Sequence, residues 1–405
     1  MDRRQLLGGA AALGAFAAAA PRAFAQNVKP LKIGVMNDLS SVYADYQGLG
    51  SKIGADLAVA DYAAKLGVPV EVIIADHQNK PDVGAGIARQ WFDTGAADVI
   101  MDLPNSGVAL AVLAVANEKN KAVIGSGAGS SVMTGPKCSK NFVHWTYDTY
   151  SAGHAIGNAV TKEGGKTWFF ITTDYAFGKD LEQNCADAVV ASGGKVLGAA
   201  RHPLNNADFS SFLLQAQSSG ADVIGFANAG GDLNQALKQA AEFGLGKKQR
   251  LAALILNVTN VPPLGLAAVQ NVKTARSFYW DMDDDKRAFA ARFEKIHPKG
   301  DKPNEMHAGM YAATAHLIKA YAQVKSADDG VKLVDAMKAM PTDDPLFGKG
   351  QIRVDGRHLH PLYLFETKKP EESKGKWDVF KLVSTIKPED AWRPLDKGGC
   401  PFVKA

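Results

Sequence analysis

The chain of 405 residues has only three cysteines, a nearly balanced charge and, after residue 25, no long apolar run. Three cysteines are too few for a scaffold built on disulfides. A formal net charge of +4 is too small to indicate nucleic-acid binding, which needs clustered basic surface. The remaining apolar segments are too short to cross a bilayer as helices. These absences favour a globular protein without a membrane-spanning segment in its mature part.

The sequence also lacks the common motifs of catalysis and cofactor binding. It contains no Gly-x-Ser-x-Gly elbow, no His-Glu-x-x-His and no phosphate-binding Gly-Lys-Ser/Thr. Residues 281–285 resemble the start of a calcium loop, but Lys286 and Arg292 occupy its Gly and Glu positions. His358 and His360 alternate on a predicted strand, where a surface hairpin is favoured over a metal site. We therefore expect no catalytic residue, metal or cofactor.

The N-terminal 25 residues have the features of an export signal. Arg3 and Arg4 precede an apolar stretch that is too short to span a bilayer, and the segment ends in an Ala-x-Ala cleavage pattern before Gln26. The paired arginines resemble a twin-arginine signal, although Asp2 and Leu6 depart from its usual residues. A Sec signal remains the alternative. Either signal predicts a periplasmic protein.

Cysteine placement allows one disulfide in that oxidising compartment. Cys185 lies at helical spacing with neighbouring apolar residues, which predicts a buried thiol. Cys138 and Cys400 both lie in polar, turn-like segments. They could form a disulfide, but sequence alone cannot test their separation.

Short β-branched runs alternate with longer amphipathic segments along most of the chain. This alternation predicts an α/β fold with parallel sheets. A first βα series covers residues 31–124 and a second covers residues 155–256, which indicates two similar lobes. Some 380 mature residues also exceed what one hydrophobic core normally serves. Residues 351–382 differ, because their spacing predicts an antiparallel meander.

Five segments in the expected order resemble the branched-chain amino-acid type of periplasmic solute-binding protein. They start at residues 33, 104, 124, 173 and 208 and include a Thr-Asp-Tyr-Ala-Phe-Gly turn at residues 173–178. The resemblance covers essentially the whole mature chain. It implies two Rossmann-like lobes joined by three crossings, with a solute bound between them. The implied crossings near residues 146, 279 and 347 give one lobe of residues 27–146 plus 280–346. The other lobe comprises residues 147–279 plus 347–405.

Ligands of open α/β sheets bind at the carboxyl ends of the strands. In the first lobe this rule and the resemblance select Ser106 and three residues of a Gly/Ser-rich loop, Gly127, Gly129 and Ser130. Ser106 precedes a helix, so capping is its alternative role. The loop glycines would let a ligand approach the backbone, or would simply form a tight turn.

Other candidates follow from the same two arguments. Tyr175 and Phe177 resemble positions that face the ligand from the second lobe, and packing is their alternative role. Asn228 and Asp232 flank two glycines after a strand, where turn formation and capping compete with binding. Trp280 lies at a proposed crossing, where its ring could stack on a solute. The weaker candidates in the first loop are Asn37, Asp38 and Tyr43.

One departure from the amino-acid-binding pattern bears on the ligand. No carboxylate occurs near residues 257–259, where the resemblance predicts one for an α-ammonium group. Asp38 or Asp232 would have to replace it. Otherwise the ligand lacks an amine, and the aromatic residues favour an aromatic or other hydrophobic carboxylate.

These observations predict a monomeric, non-enzymatic protein that captures an amino acid or a small carboxylate by lobe closure. Its predicted partners are the small-molecule solute and an ABC permease in the inner membrane. A periplasmic sensor of the same fold is the main alternative, and an exported hydrolase is a weaker one.

Overall fold

The computed structural model describes residues 28–404, so the predicted export signal lies outside the described residues. Within residues 28–404, no helix is both long and apolar enough to cross a membrane. The α/β fold with parallel sheets is confirmed.

The first lobe is built on a five-stranded parallel sheet with strand order β2-β1-β3-β4-β5. Its strands are β1 (Leu31–Asn37), β2 (Val70–Asp76), β3 (Val99–Asp102), β4 (Ala122–Gly125) and β5 (Phe142–His144). Three helices connect them: α1 (Gly48–Leu66), α2 (Pro81–Thr94) and α3 (Ser106–Lys119). Along β1, Val35 packs into the core on one face of the sheet and Met36 into the core on the other. Burial of both faces explains why these strands are continuous apolar runs.

The second lobe repeats this plan with a four-stranded parallel sheet of order β7-β6-β8-β9. Its strands are β6 (Thr167–Thr173), β7 (Lys195–His202), β8 (Val223–Ala227) and β9 (Arg250–Ala253). Its helices are α4 (Thr149–Lys162), α5 (Ala176–Ala191), α6 (Ser210–Ser218), α7 (Gly230–Glu242), α8 (Val261–Leu264) and α9 (Leu266–Val269).

The remaining chain passes between the lobes and adds two antiparallel sheets, β10-β14-β15 and β11-β12-β13. The strands are β10 (Lys273–Arg276), β11 (Thr342–Asp344), β12 (Gly348–Ile352), β13 (His358–Leu359), β14 (Leu362–Thr367) and β15 (Phe380–Ile386). The helices are α10 (Asp284–Ile296), α11 (Glu305–Val324), α12 (Gly330–Ala339) and α13 (Pro388–Ala391). The predicted single meander is therefore divided between two sheets.

The third crossing lies about a dozen residues later than predicted. Phe347 and Ile352 belong to the core of the first lobe. The backbone of Arg357 forms an isolated parallel β-bridge with His144 at the end of β5. Leu362, in contrast, packs in the core of the second lobe. The assignment of residues 347–352 to the second lobe is wrong, because Phe347 and Ile352 pack in the core of the first lobe.

The C-terminal tail also departs from the predicted division. It follows α13, and it returns to the first lobe through a disulfide between Cys138 and Cys400. Arg393 donates to the Ser131 carbonyl at 3.1 Å, which holds the tail against the loop after β4. Residues 393–404 therefore pack on the first lobe rather than the second.

Buried histidines line the crossings between the lobes. His358 and His360 are fully buried and contact the Trp145 carbonyl, each at 3.2 Å. The surface-hairpin interpretation of these residues is wrong, because the hairpin is covered by the first crossing and by Trp392.

Candidate functional site

The carboxyl ends of both parallel sheets face one cleft between the lobes, and the two lobes touch across it. Three hydrogen bonds start from the loop after β1. Gly231 N–H donates to the Val42 carbonyl at 2.8 Å, and the hydroxyls of Tyr43 and Tyr175 lie 2.6 Å apart. Asn257 donates its amide to the Tyr46 hydroxyl at 2.5 Å. The cleft is therefore in a closed arrangement.

Aromatic side chains from both lobes line this cleft. Tyr43 and Tyr46 come from the first loop, and Tyr147 comes from the first crossing. Tyr175 and Phe177 come from the N-terminal end of α5. Burial is the main cause that raises the pKa of all four tyrosines above the usual value. Their hydroxyls stay neutral near pH 7 and can donate or accept hydrogen bonds. These five side chains thus form an aromatic box edged with hydroxyl groups.

The predicted glycines allow these groups to approach the backbone. A Cβ on Gly129 would lie 2.8 Å from the Phe177 ring and 3.0 Å from Tyr147. A Cβ on Gly127 would collide with the side-chain amide of Gln47. Any larger residue at either position would fill space that the closed cleft uses.

Ser106 and Ser130 lie together, and Ser106 does not take the helix-capping role that was its alternative. Asn105, rather than Ser106, caps α3 by accepting N–H bonds from Gly107 and Val108. The Ser106 hydroxyl oxygen accepts the Ser130 N–H at 3.1 Å, while the Ser130 hydroxyl donates to Asp180 of α5 at 2.8 Å. The O–H of Ser106 can be donated to a ligand oxygen, since its contact with Ser130 uses only a lone pair.

Asn37 and Asp38 are fully buried, and their polar atoms hold the first loop together. Asn37 donates to the Gly48 carbonyl and to the Asp102 carboxyl group. Asp38 accepts hydrogen bonds from three backbone N–H groups of its own loop and from Asn79 at 2.6 Å. Asp38 therefore organises the loop that carries Tyr43 and Tyr46.

Asn228 and Asp232 lie on the second-lobe side of the cleft. Asn228 donates to His202 at 3.2 Å, and its amide oxygen has no hydrogen-bond partner among the described residues. The Asp232 carboxylate accepts the N–H groups of Asn205 and Asn206 at 3.0 and 2.9 Å. Burial raises the pKa of Asp232 to about 6. Asp232 fixes a neighbouring loop, whereas Asn228 retains an unused acceptor.

Trp280 does not join the other candidates. Its indole N–H donates to the Trp377 carbonyl at 2.9 Å, and Lys302 lies 4.6 Å above its ring. It borders an open surface cavity of about 360 Å³ together with Trp377 and several lysines. Trp280 packs against the cores of the two lobes and not against the cluster that contains the cleft tyrosines, so its stacking on a solute stays a prediction.

Several residues of the cleft were missed from the sequence. Gln47 lies beside Gly127, Tyr147 leaves the first crossing, and Asn257 follows β9. Asp102 ends β3, and burial raises its pKa to about 7. A polar residue at the carboxyl end of an apolar strand was the signal used for Asn37, and the same signal would have found Asp102. Gln47 and Tyr147 carry no comparable signal, because only the folded chain brings them to the cleft.

A buried ion pair lies beneath the aromatic box. Arg276 and Glu305 are 1% exposed or less and form an ion pair of 2.5 Å. Glu305 also accepts the Ser277 N–H, and the guanidinium lies 5.2 Å from the centre of the Tyr147 ring. Burial disfavours the charged guanidinium, but Glu305, Tyr46 and Tyr147 together outweigh this effect and keep the pKa of Arg276 above its usual value. The charge of Arg276 is thus largely neutralised within the protein.

Other polar features lie outside the cleft. A cavity of about 660 Å³ on the second lobe is bordered by Arg250, Lys273 and Glu366 at the far end of the sheet. Among residues 28–404, no three His, Cys, Asp or Glu side chains are grouped so that they could hold a metal ion. The aromatic box between the lobes therefore remains the candidate ligand site.

Comparison with known proteins gives consistent matches over nearly the whole chain. Residues 30–376 match the family described as periplasmic binding protein. The chain is similar to Leu/Ile/Val-binding protein homolog 6 of Brucella abortus (strain 2308), with 26% identity covering 89% of this chain and 93% of that protein.

Two crystal structures from Burkholderia species are also similar. A periplasmic binding protein of Burkholderia mallei has a TM-score of 0.89 and 45% identity, covering 93% of this chain and 99% of its own. A branched-chain amino acid ABC transporter periplasmic ligand-binding protein of Burkholderia xenovorans LB400 has a TM-score of 0.80 and 38% identity. That match covers 92% of this chain and 99% of the crystal structure.

Proposed function

The chain belongs to the periplasmic binding protein family, and we propose that it captures a small hydrophobic carboxylate, preferably aromatic, for an ABC importer. The family and fold are those of substrate-binding proteins that serve ABC transporters. The observation that carries the ligand assignment is the aromatic box shared by the two lobes. Tyr43 and Tyr46 belong to one lobe, and Tyr175 and Phe177 to the other.

The contacts across the cleft explain how binding would favour closure. A ligand held between Tyr43 and Tyr175 contacts both lobes at once, and only the closed form offers both contacts. Differential affinity for the closed form is what shifts the equilibrium toward it. Closure also removes the aromatic surfaces from water, which adds a hydrophobic contribution.

The carboxylates near the cleft argue against an α-amino acid. Asp38 and Asp232, which were the candidates to hold an ammonium group, already accept backbone hydrogen bonds. Glu305 is occupied by Arg276 and by the Ser277 N–H. A solute without an α-amine suits this arrangement, because each of these carboxylates already holds hydrogen-bond donors of the protein and an ammonium ion would have to share it with them.

The carboxylate of the solute would be held by hydrogen bonds rather than by a free cation. Ser106 can donate its O–H, and it lies beside the glycine loop at the beginning of α3. The N-terminus of a helix also favours negative charge. Ser106 and Gly129 are therefore the proposed carboxylate-binding group on the first lobe.

The partner and the location follow from the same proposal. The closed protein would dock, as a monomer, on a permease of the inner membrane and release its solute there. Its export would depend on the first 25 residues, with cleavage before Gln26. We propose the crossings near residues 146, 279 and 360 as the hinge, with the tail after α13 fastened to the first lobe.

A ligand screen tests this function. The mature protein would be heated with aromatic carboxylates, aliphatic carboxylates and α-amino acids, and its melting temperature recorded. A ligand at a hundred times its dissociation constant should add about 2.7 kcal/mol to the free energy of unfolding. We expect aromatic carboxylates to raise the melting temperature and to reduce the radius of gyration in solution scattering. A response to α-amino acids alone would contradict the ligand class, and no response from any solute would contradict capture.

A further inference from the structure

The side chain of Gln47 is buried in the cleft, and no residue in the described part of the chain forms a hydrogen bond with it. It is 2% exposed, and neither its amide oxygen nor its amide nitrogen has a partner among the described residues. A buried amide without partners costs free energy, so native structures almost always pair such groups. An unpaired amide at the edge of a binding cleft indicates a partner that arrives from outside the protein.

The backbone around Gln47 is fixed, so the direction of the side chain is set by the fold. Its carbonyl accepts a hydrogen bond from His307 Nε2 at 3.0 Å, and its N–H donates to the Tyr43 carbonyl at 2.9 Å. The side-chain amide of Asn304 donates a hydrogen bond of 2.5 Å to the carbonyl of the preceding residue, Tyr46. Both His307 and Asn304 belong to the first turn of α11 and its cap. The amide is therefore presented to the cleft by a rigid support.

Gln47 also occupies a position where its side chain has no local task. It is the N-cap residue of α1, yet its side chain makes no capping hydrogen bond. Residues with short polar side chains normally occupy N-caps, because they can bond the first N–H groups of the helix. The side chain of Gln47 instead lies against the backbone of Gly127, where any Cβ would collide with it.

A second polar group borders the same point. Asp102 Oδ1 would lie 2.8 Å from a Cβ on Gly127, and this carboxyl group is fully buried with hydrogen bonds from Ser126 and Asn37. Burial raises its pKa to about 7. A ligand carboxylate placed here would face a carboxyl group that carries like charge whenever it is ionised. A neutral group that donates and accepts hydrogen bonds suits both Gln47 and Asp102.

From this geometry we infer that Gln47 selects solutes with a hydroxyl or carboxamide substituent, which its amide binds beside Gly127. The inference rests on the proposed function, because it assigns the end of the same solute that is remote from the carboxylate. A hydroxyl can donate to the amide oxygen of Gln47 or accept from its nitrogen, and a carboxamide can do both. An unsubstituted ring would leave the buried amide unpaired.

The test compares matched solutes by titration calorimetry on the mature protein. The solutes are benzoate, 4-hydroxybenzoate, 4-carbamoylbenzoate and terephthalate. We expect the hydroxyl or the carboxamide compound to bind at least tenfold more tightly than benzoate, and terephthalate to bind more weakly than either. Gln47→Met keeps the length of the side chain and removes its polar atoms, so it should abolish the preference while benzoate affinity is kept. Gln47→Asn keeps the amide but shortens its reach, and it should also lose the preference.

Gln217→Met serves as the control, since Gln217 is exposed on α6 of the second lobe, and it should keep the wild-type preference. If Gln47→Met fails to fold, Gln47→Asn decides the question. An unchanged preference in a folded Gln47 variant would overturn the inference and leave the proposed function intact. Equal binding of all four solutes by the wild type would also overturn the inference and leave the proposed function intact. Binding of none of them would overturn the aromatic ligand class, and the inference with it.

Discussion

At the scale of single residues, the hydroxyl of Tyr175 is the clearest contact between the lobes. It lies 2.6 Å from the hydroxyl of Tyr43, which is buried. Tyr175→Phe would leave the Tyr43 hydroxyl without this partner in the closed form, a cost of about 1–3 kcal/mol. We expect solute affinity to fall about tenfold, as measured by calorimetry. Tyr62→Phe is the control, since Tyr62 of α1 packs against Tyr311 of α11 rather than across the cleft, and it should leave solute affinity unchanged. Equal affinities for the two variants would argue against this contact as part of closure.

The Arg276–Glu305 pair is the residue-scale feature with the largest expected effect on stability. Arg276→Met leaves the fully buried Glu305 without its cation, and breaking a buried pair typically costs about 3–5 kcal/mol. Urea denaturation would measure this loss of unfolding free energy.

A matched control exists for this variant. Arg292→Met breaks the partly exposed pair with Asp61, and this should cost less than about 1 kcal/mol. Replacing both partners of the buried pair, with Arg276→Met and Glu305→Leu together, should recover much of the lost stability. A single Arg276→Met variant that is as stable as the Arg292→Met control would contradict the importance of burial here.

At the scale of elements, the C-terminal tail connects parts of the chain that are distant in sequence. Cys138 and Cys400 are 262 residues apart, and Trp392 donates to the His360 carbonyl at 2.8 Å beside the third crossing. The tail therefore extends from the hinge to the loop that follows β4. A disulfide closing so long a loop restricts the unfolded chain strongly.

Loss of this disulfide should therefore destabilise the protein. We expect reductant, or the double variant Cys138→Ser/Cys400→Ser, to lower the free energy of unfolding by about 2–4 kcal/mol. The denaturation midpoint of the double variant should not respond to reductant, which provides the internal control. A wild-type midpoint that is the same with and without reductant would show that the tail is held by packing alone.

At the scale of the whole molecule, buried histidines govern the dependence of stability on pH. Burial lowers the pKa of all nine histidines, to about 4 for His77 and about 3 for His307 and His360. Between these values and about 6.5 the unfolded chain binds more protons than the folded one, so stability falls as the pH falls. Each fully buried histidine contributes a loss of about 1.4 kcal/mol per pH unit in that window.

Three buried carboxyl groups act in the opposite direction. Burial raises the pKa of Asp102 to about 7 and those of Asp232 and Asp344 to about 6. Between about 3.8 and these values the folded form binds more protons, so these groups gain stability as the pH falls. Because the histidines outnumber them, we expect the melting temperature to decrease from pH 7 to pH 4.5. A melting temperature that stays constant or rises over this range would contradict the neutral, buried state of the histidines.

The architecture and the family resemblance of this protein could be predicted from the amino-acid sequence. Strand and helix periodicities are local, and burial of both sheet faces makes each strand a continuous apolar run, so the βα series could be predicted. The edge of the sheets where ligands bind followed from the same pattern. Tyr43, Gly127, Gly129, Tyr175 and Phe177 lie together at this edge, because each follows a predicted strand.

Which polar groups of the cleft already have hydrogen-bond partners, and which have none, is visible only in the folded chain. Asp38 and Gln47 lie in the same loop. The Asp38 carboxylate accepts N–H groups of that loop, whereas the side-chain amide of Gln47 has no hydrogen-bond partner among residues 28–404. The third crossing and the position of Trp280 also depend on the tertiary structure. The crossing depends on which core β12 covers, and the position of Trp280 depends on where the loop before β15 lies. Hydrogen bonds between residues distant in sequence leave no local periodicity, so they could not be predicted from the pattern of a single sequence.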